Sequence, residues 1–293
     1  MPETMHWVVA AARCTAPDAP APDLATLPNL KALLRRMDSG TRISCADDCP
    51  AVPLELHLAR LQGLLQAPDR IPWAAYETRT LGQPCAWIHP CHWQVSVQDI
   101  VMDDPRHLVL DETGARTLIA AMAPFFAEDG ITLEYHSPQA WLARGAVFRD
   151  LPCVSPRRVA GHSVVDWTPK GGSPAETTLQ RLHNEMQMLL YTLPYNDQRS
   201  AAGLAPVNAF WVSGAGVLDH LPATAPPLQV DTRLQPYVND PVGHARVWRE
   251  IDADICARAL TDLDYGTPVH LTLCGAHVAQ TWGPAPGGGW QRF

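Results

Sequence analysis

The stretch from Leu179 to Gly216 constrains the fold more than any other part of this chain. It reads as an amphipathic helix, a proline turn, a polar loop carrying Asn196 and Arg199, and a short apolar strand. That strand covers Val207 to Val212 and runs on to Gly214-Ala215-Gly216. Just upstream, Ser173-Pro174-Ala175-Glu176 is a capping box with proline at the first helical position, so the helix start is set. Leu179, Leu182, Met186, Leu189 and Leu190 share one stripe, at the spacing of a helix that packs on a core. His183, Asn184, Gln187 and Tyr191 flank that stripe at spacings of three and four residues. Ligand sites in α/β proteins gather just past the C-terminal ends of strands, which draws attention to the end of this one.

The rest of the chain alternates in the same way. His6 to Ala11 reads as a buried strand, and residues 15–27 as loop. Helices are expected from Pro28 to about Met37 and from Pro53 to Leu65, the second with Leu54, His57, Leu58, Leu61 and Leu65 on one stripe. Trp87–Val97 is expected to be extended, with another strand within Val101–Leu110. Glu112–Phe126 reads as a helix that Pro124 kinks or ends. Asp129-Gly130 is a turn before a strand at Ile131–Tyr135. Residues 151–172 read as irregular and 217–243 as proline-rich loop. His244–Leu263 is expected to be helical and Val269–Cys274 a strand. Strands alternating with helices predict an α/β fold with a mixed or mostly parallel sheet flanked by helices. The expectation is one domain over residues 1–293, a soft division near residue 170, and a weakly ordered tail at 283–293.

Composition excludes several classes. At 46% hydrophobic residues over 293 positions, the chain can bury a full core. Net charge is −8, the only lysines are Lys31 and Lys170, and no basic block stands out, so no nucleic-acid partner is expected. The start of the chain lacks a positive n-region, and its apolar run is broken by Arg13, unlike a signal peptide. No apolar run approaches the roughly 20 residues of a membrane span, so no membrane partner and a cytoplasmic location are expected. Eight cysteines scattered over a long chain are expected to be mostly reduced thiols.

Several constellations carry polar chemistry. Asn184 and Gln187 can hold a ligand or a neighbouring loop, or can simply be the solvated side of a core helix. Arg199 can grip a phosphate or carboxylate with two donors. Asn196 and Asn208 either shape the loop through side-chain-to-backbone bonds or contact a ligand with Trp211. Gly214 and Gly216 would let backbone amides approach an anion. Cys85, His89, Cys91 and His92 are the best zinc candidates by residue type, although no pairing of standard zinc spacing occurs; buried cysteines and a half-buried histidine explain them as well. Asp103-Asp104, and Asp262 with Asp264, read as solvated turn or surface carboxylates. No nucleophile elbow, P-loop or zincin motif is present.

The helix ending Asn184-Glu185-Met186-Gln187-Met188-Leu189-Leu190, followed by Asn196, Arg199, Gly203, Pro206, Asn208, Trp211, Gly214 and Gly216 in their spacing, resembles the RpfE-type regulatory proteins of proteobacteria. The stretch from Pro90 to Gly130 adds to the resemblance, which covers most of residues 28–220. That family is similar, more distantly, to archaeal-type cofactor-independent phosphoglycerate mutases. The resemblance implies an alkaline-phosphatase-like α/β fold. In active members, two divalent metals and a seryl nucleophile pass a phosphoryl group between hydroxyls.

This chain departs from that pattern at the chemistry. Ala12, Arg13 and Cys14 stand where the resemblance implies an aspartate ligand and a glycine. Pro53 stands where it implies the nucleophilic serine, and Ser44 lies outside the register. His270 and His277 have no paired aspartates in sequence. The resulting expectation is a catalytically degenerate, phosphoglycerate-mutase-like protein, acting as a regulatory or small-anion-binding module. No cofactor is expected. The expected ligand is a small phosphorylated or carboxylate metabolite. One alternative is an active metal-dependent phosphomutase or phosphatase, with divalent metal on rearranged ligands among His57, His89, His92, Asp103, His270 and His277. Another is a structural protein whose ten tryptophans contribute a hot spot for a protein partner.

Overall fold

The structure is a computed structural model and describes residues 4–222 and 226–284. The chain begins with β1 (Met5–Val9), α1 (Pro28–Arg36), β2 (Asp38–Ser44) and α2 (Pro53–Leu61). It continues through α3 (Trp73–Thr78), β3 (Cys85–Cys91), β4 (Trp93–Val95), β5 (Ile100–Met102), α4 (Glu112–Glu128), β6 (Thr132–Ser137) and β7 (Ala140–Arg144). Next come α5 (Pro156–Val159), α6 (Pro174–Tyr191), α7 (Pro194–Ala201) and β8 (Ala209–Gly216). It closes with β9 (Leu228–Asp231), α8 (Pro241–Ile251), α9 (Ala257–Asp264), β10 (Val269–Cys274) and β11 (Val278–Gly283). Two compact units result, one from residues 4–63 with 226–284 and one from residues 64–222. Residue 170 lies inside the second unit. Of the tail expected at 283–293, residues 285–293 lie outside the described residues. No described helix is long and apolar enough to cross a membrane.

The first unit carries a mixed sheet in the order β2-β11-β10-β1-β9, with β9, β1 and β10 parallel and β11 and β2 added antiparallel. Side chains alternate across a strand, so Trp7, Val9, Val269 and Leu271 face one side. There they pack with Leu30 and Leu33 of α1 and Val247, Trp248 and Ile251 of α8. His6 and His270, opposite each other in the register, face the other side. The second unit holds an antiparallel sheet in the order β6-β7-β3-β8 and a β4-β5 hairpin. One face of that sheet, with Ile88, Trp141, Phe210 and Val212, is covered by Leu118, Met122 and Phe126 of α4 and by the stripe of α6. The other carries Cys85 and Trp87 against α3, and Cys91 and Trp211 against Trp93 and Met102.

Among the elements that differ from the sequence reading are these three. Residues 194–201 are helical rather than loop, with Pro194 at the first position. Within the proline-rich 217–243 stretch, Leu228–Asp231 forms the edge strand β9 beside β1. α4 runs on through Pro124 to Glu128, since Ala120 and Pro124 are exposed on the solvent side while Met122 and Phe126 are buried. Half of the predicted capping box at Ser173 forms: the Ser173 hydroxyl accepts from Glu176 N at 3.2 Å, while the Glu176 carboxylate accepts from Gly172 N at 2.8 Å instead of from Ser173 N.

α1 begins without a side-chain cap of its own. Its cap comes from Asp252, which opens a π-helical stretch (Asp252–Cys256) between α8 and α9. The buried Asp252 carboxylate accepts from Leu30 N at 2.7 Å and from Asn29 N at 3.3 Å. A carboxylate at a helix N-terminus meets orphan amides and the positive end of the macrodipole. Asp252→Ala is expected to destabilise the first unit by about 2–3 kcal/mol, because those amides are left without an acceptor. Denaturant unfolding checks this, and a loss below about 0.5 kcal/mol would show that α1 needs no cap from Asp252.

Candidate functional site

The polar residues that stand out in the sequence are placed largely as fasteners between α6 and β8. The Asn196 amide nitrogen donates to Leu190 O at 2.8 Å and Val207 O at 2.7 Å, while its oxygen accepts from Val207 N at 2.9 Å. One buried carboxamide thus closes the end of α6 and pairs the backbone leading into β8. Asn208 does the same for Trp93, accepting from its N–H at 2.7 Å and donating to its carbonyl at 2.9 Å. Arg199 is buried, with Nε on Ala205 O at 2.9 Å and Nη1 on Val109 O at 2.7 Å. Gly203, at φ 73°, ends α7 in a Schellman arrangement: Leu204 N donates to Arg199 O at 2.9 Å and Gly203 N to Ser200 O at 3.0 Å. The spacing of Asn196, Arg199, Gly203 and Asn208 therefore has a structural reason.

The other candidates are spread out. Asn184 and Gln187 are exposed on α6. Gly214, at φ 62°, abuts Trp73 and Ala74, where a Cβ would lie 2.9 Å from the Trp73 side chain. Gly216 abuts Pro72. Trp211 is buried, and its Nε1 donates to Val154 O at 2.8 Å.

Trp211 also lines a cavity of about 260 Å³ in the second unit, near the small end of ligand-pocket volumes. Its walls come from Leu179 and His183 of α6, Trp211 and Val212 of β8, and the 151–170 connection, which includes Cys153 and Trp167. Asp69, Asp166, Lys170 and Glu176 also line it. His183 is only 8% exposed, although its neighbour Asn184 faces solvent. Its ring packs on Phe210 at 4.3 Å and on Trp93 at 5.8 Å. Burial pushes it down to about 4, opposed by a hydrogen bond to the Phe210 backbone. Pro90, opposite Phe210 in the ladder, has no N–H to offer that carbonyl. The other ring nitrogen, Nε2, is buried with no hydrogen-bond partner among the described residues. Burial pushes the Cys153 thiol up to about 12, so it is no ready nucleophile. The sequence reading put His183 on a polar flank and left 151–170 without a role. The signal for a site was a histidine beside an apolar stripe, together with Trp167.

The candidate metal ligands are each engaged elsewhere. His89 contacts Ser213 Oγ at 2.8 Å and Gln139 O at 3.0 Å, and His92 contacts Pro206 O at 2.8 Å. Burial raises both the Cys85 and Cys91 thiols. In the first unit, His6 stacks on His270 at 4.6 Å between centroids. His57 contacts Thr272 Oγ1 at 3.0 Å, which in turn contacts Thr281 Oγ1 at 2.8 Å. Asp103 accepts from Gln94 at 2.7 Å, and His277 lies 3.4 Å from Asp47. Among the described residues, no three His, Cys, Asp or Glu side chains converge as a metal-ligand group. The set Cys85, His89, Cys91 and His92 is therefore not assembled, because the first three are strung out along one face of β3 with separate partners and His92 lies beyond the strand's end. All nine described tryptophans are buried or half-buried; Trp290 lies outside the described residues.

No family model matches this chain, and no curated protein does. Among solved structures, it superposes on the PH0037 protein from Pyrococcus horikoshii with a TM-score of 0.50. Identity there is 11%, over 98% of this chain and 88% of that one. A cofactor-independent phosphoglycerate mutase from Thermoplasma acidophilum DSM 1728 superposes with a TM-score of 0.41 and 15% identity, over 99% of this chain and 91% of that one. The first likeness shows a shared fold alone. The second is too loose to carry an argument.

Two outcomes are expected. Asn196→Ala should cost about 2–4 kcal/mol, since it strips the buried Val207 N–H and carbonyl of their partner at once. A chemical-denaturation midpoint within error of the parent would refute the clamp. Burial also holds His6, His57 and His89 at about 4, against an ordinary 6.5. Well above pH 6.5 neither the folded nor the unfolded chain binds these protons. As pH falls from 6.5 towards 4, the unfolded chain takes up protons that the folded one refuses, and stability is lost. Urea midpoints should therefore drop steeply below about pH 6, and a flat profile down to about pH 4.5 would contradict the assignment.

Proposed function

We propose that this chain is a small-molecule-binding protein built on a phosphoglycerate-mutase-like fold, and that it does not catalyse phosphoryl transfer. The observation that carries the reading is Pro53. It is buried at the first position of α2, where the sequence resemblance implies a nucleophilic serine, and its ring has no nucleophilic atom. The end of β1 supports the same view. Ala10, Ala11 and Ala12 follow the strand with no side-chain donor to a metal, and the Cys14 thiol is turned onto Val238 O at 3.0 Å. Asp231, at the end of β9, is held by Arg233 at 2.5 Å. Phosphoryl transfer needs a positioned nucleophile and charge stabilisation together, each worth several kcal/mol at the transition state. The binding role is supported by the cavity beside Trp211 and by the buried, unmatched nitrogen of His183 within its wall. A regulatory role would follow if occupancy of that cavity alters a protein partner's affinity.

The test is turnover. Purified full-length protein supplied with Mn²⁺ and 3-phosphoglycerate is expected to form no 2-phosphoglycerate and to release no phosphate. Mn²⁺-dependent conversion at a rate above a heat-denatured control would overturn the reading and restore the rearranged-ligand enzyme.

A further inference from the structure

We propose that the cavity beside Trp211 takes a small aromatic ligand bearing a cationic amine, rather than a phosphorylated or carboxylate metabolite. The inference rests on the binding reading above and names the ligand class for that site. Its first support is the unmatched nitrogen. His183 lines the wall, and its Nε2 is buried without a partner among the described residues, which a neutral imidazole can offer as an acceptor. A buried acceptor without a donor carries a desolvation cost that a ligand N–H or O–H removes. A carboxylate or a fully ionised phosphate brings only acceptors to that position.

The second support is charge. Asp69, Asp166 and Glu176 are the acidic residues of the lining, with Asp166 at its exposed edge, against the single Lys170. Lys170 already lies 3.7 Å from Asp166, which offsets one of them. Glu176 accepts from Gly172 N at 2.8 Å, so its carboxylate is held at the site. The field there favours a cation. The third support is shape. Trp211 has its N–H committed to Val154 O, so it offers the cavity a ring; Trp167, Leu179 and Val212 complete an apolar lining. Flat rings stack well on such walls, and a cation beside an aromatic face gains further attraction. The volume suits a single ring with a short arm rather than a nucleotide.

The experiment is calorimetric titration of the full-length protein with benzylamine and, separately, with benzoate and inorganic phosphate, at neutral pH. Benzylamine is expected to bind roughly tenfold or more tightly than benzoate, which differs chiefly in the sign of its charge. His183→Phe keeps the ring volume and removes the acceptor, and should weaken benzylamine roughly tenfold. Should that variant fail to fold, Asp69→Asn is the second arm; it should narrow the gap between benzylamine and benzoate. Preference for benzoate or phosphate overturns the proposal, as does equal affinity. So does benzylamine binding that neither variant alters. A cavity that holds only water gives no heat with any probe, and that too overturns it. None of these failures depends on turnover, and Mn²⁺-dependent turnover would sink the non-catalytic reading while leaving the benzylamine preference measurable.

Discussion

The carboxamide of Asn196 holds the second unit's central connection together. α6 ends with a buried Leu190 carbonyl that its own backbone meets weakly, through Leu193 N at 3.3 Å, and β8 is preceded by the buried Val207 peptide. One side chain meets both, at distances of 2.7 to 2.9 Å. The stripe of α6 can then lie on Phe210 and Val212, and His183 is carried to the cavity wall. α7 exists to present Asn196. It starts on Pro194, turns Asn196 and Arg199 inward from the same face, and stops at Gly203, where a positive φ suits glycine.

The interior handles polarity through neutral or carbonyl-bound groups. Arg199 is buried against backbone oxygens of Ala205 and Val109, which spread its charge over two dipoles. Histidines in both units are buried or half-buried, His57 and His89 each near a hydroxyl and His6 against another ring. Such groups are costly to bury, and each partner they find offsets part of that cost. Nη2 of Arg199, Nδ1 of His6 and Nε2 of His183 remain without partners among the described residues, and of these three only His183 lines the cavity beside Trp211.

Much of the fold was legible because local signals agreed with one another. The Ser173 box, the α6 stripe and the apolar run before Gly214 each had one reading, and β10 forms over the span its residues suggested. α7 was not legible, because its inward residues are Asn196 and Arg199 and an amphipathic pattern counts those as surface; only Pro194 marked its start. β9 was hidden for a similar reason. It is a short edge strand, half-buried or exposed along its length, and it gains its identity from pairing with β1. The cavity was least legible. Asp69, Trp167, His183 and Trp211 are far apart in sequence, and no periodicity links them.

Residue order alone determined where most helices and strands begin, that a full core could form, and that proline stands at a position where the resemblance implies a nucleophile. These are properties of neighbours along the chain, set by capping, spacing and the chemistry of single side chains. Tertiary structure decided what the polar residues do. Arg199, with the donors to hold an anion, holds backbone carbonyls, and His183, beside a solvent-facing asparagine, is buried in a cavity wall. A polar side chain's role depends on which partner lies within about 3 Å of it, and only the folded backbone brings that partner there.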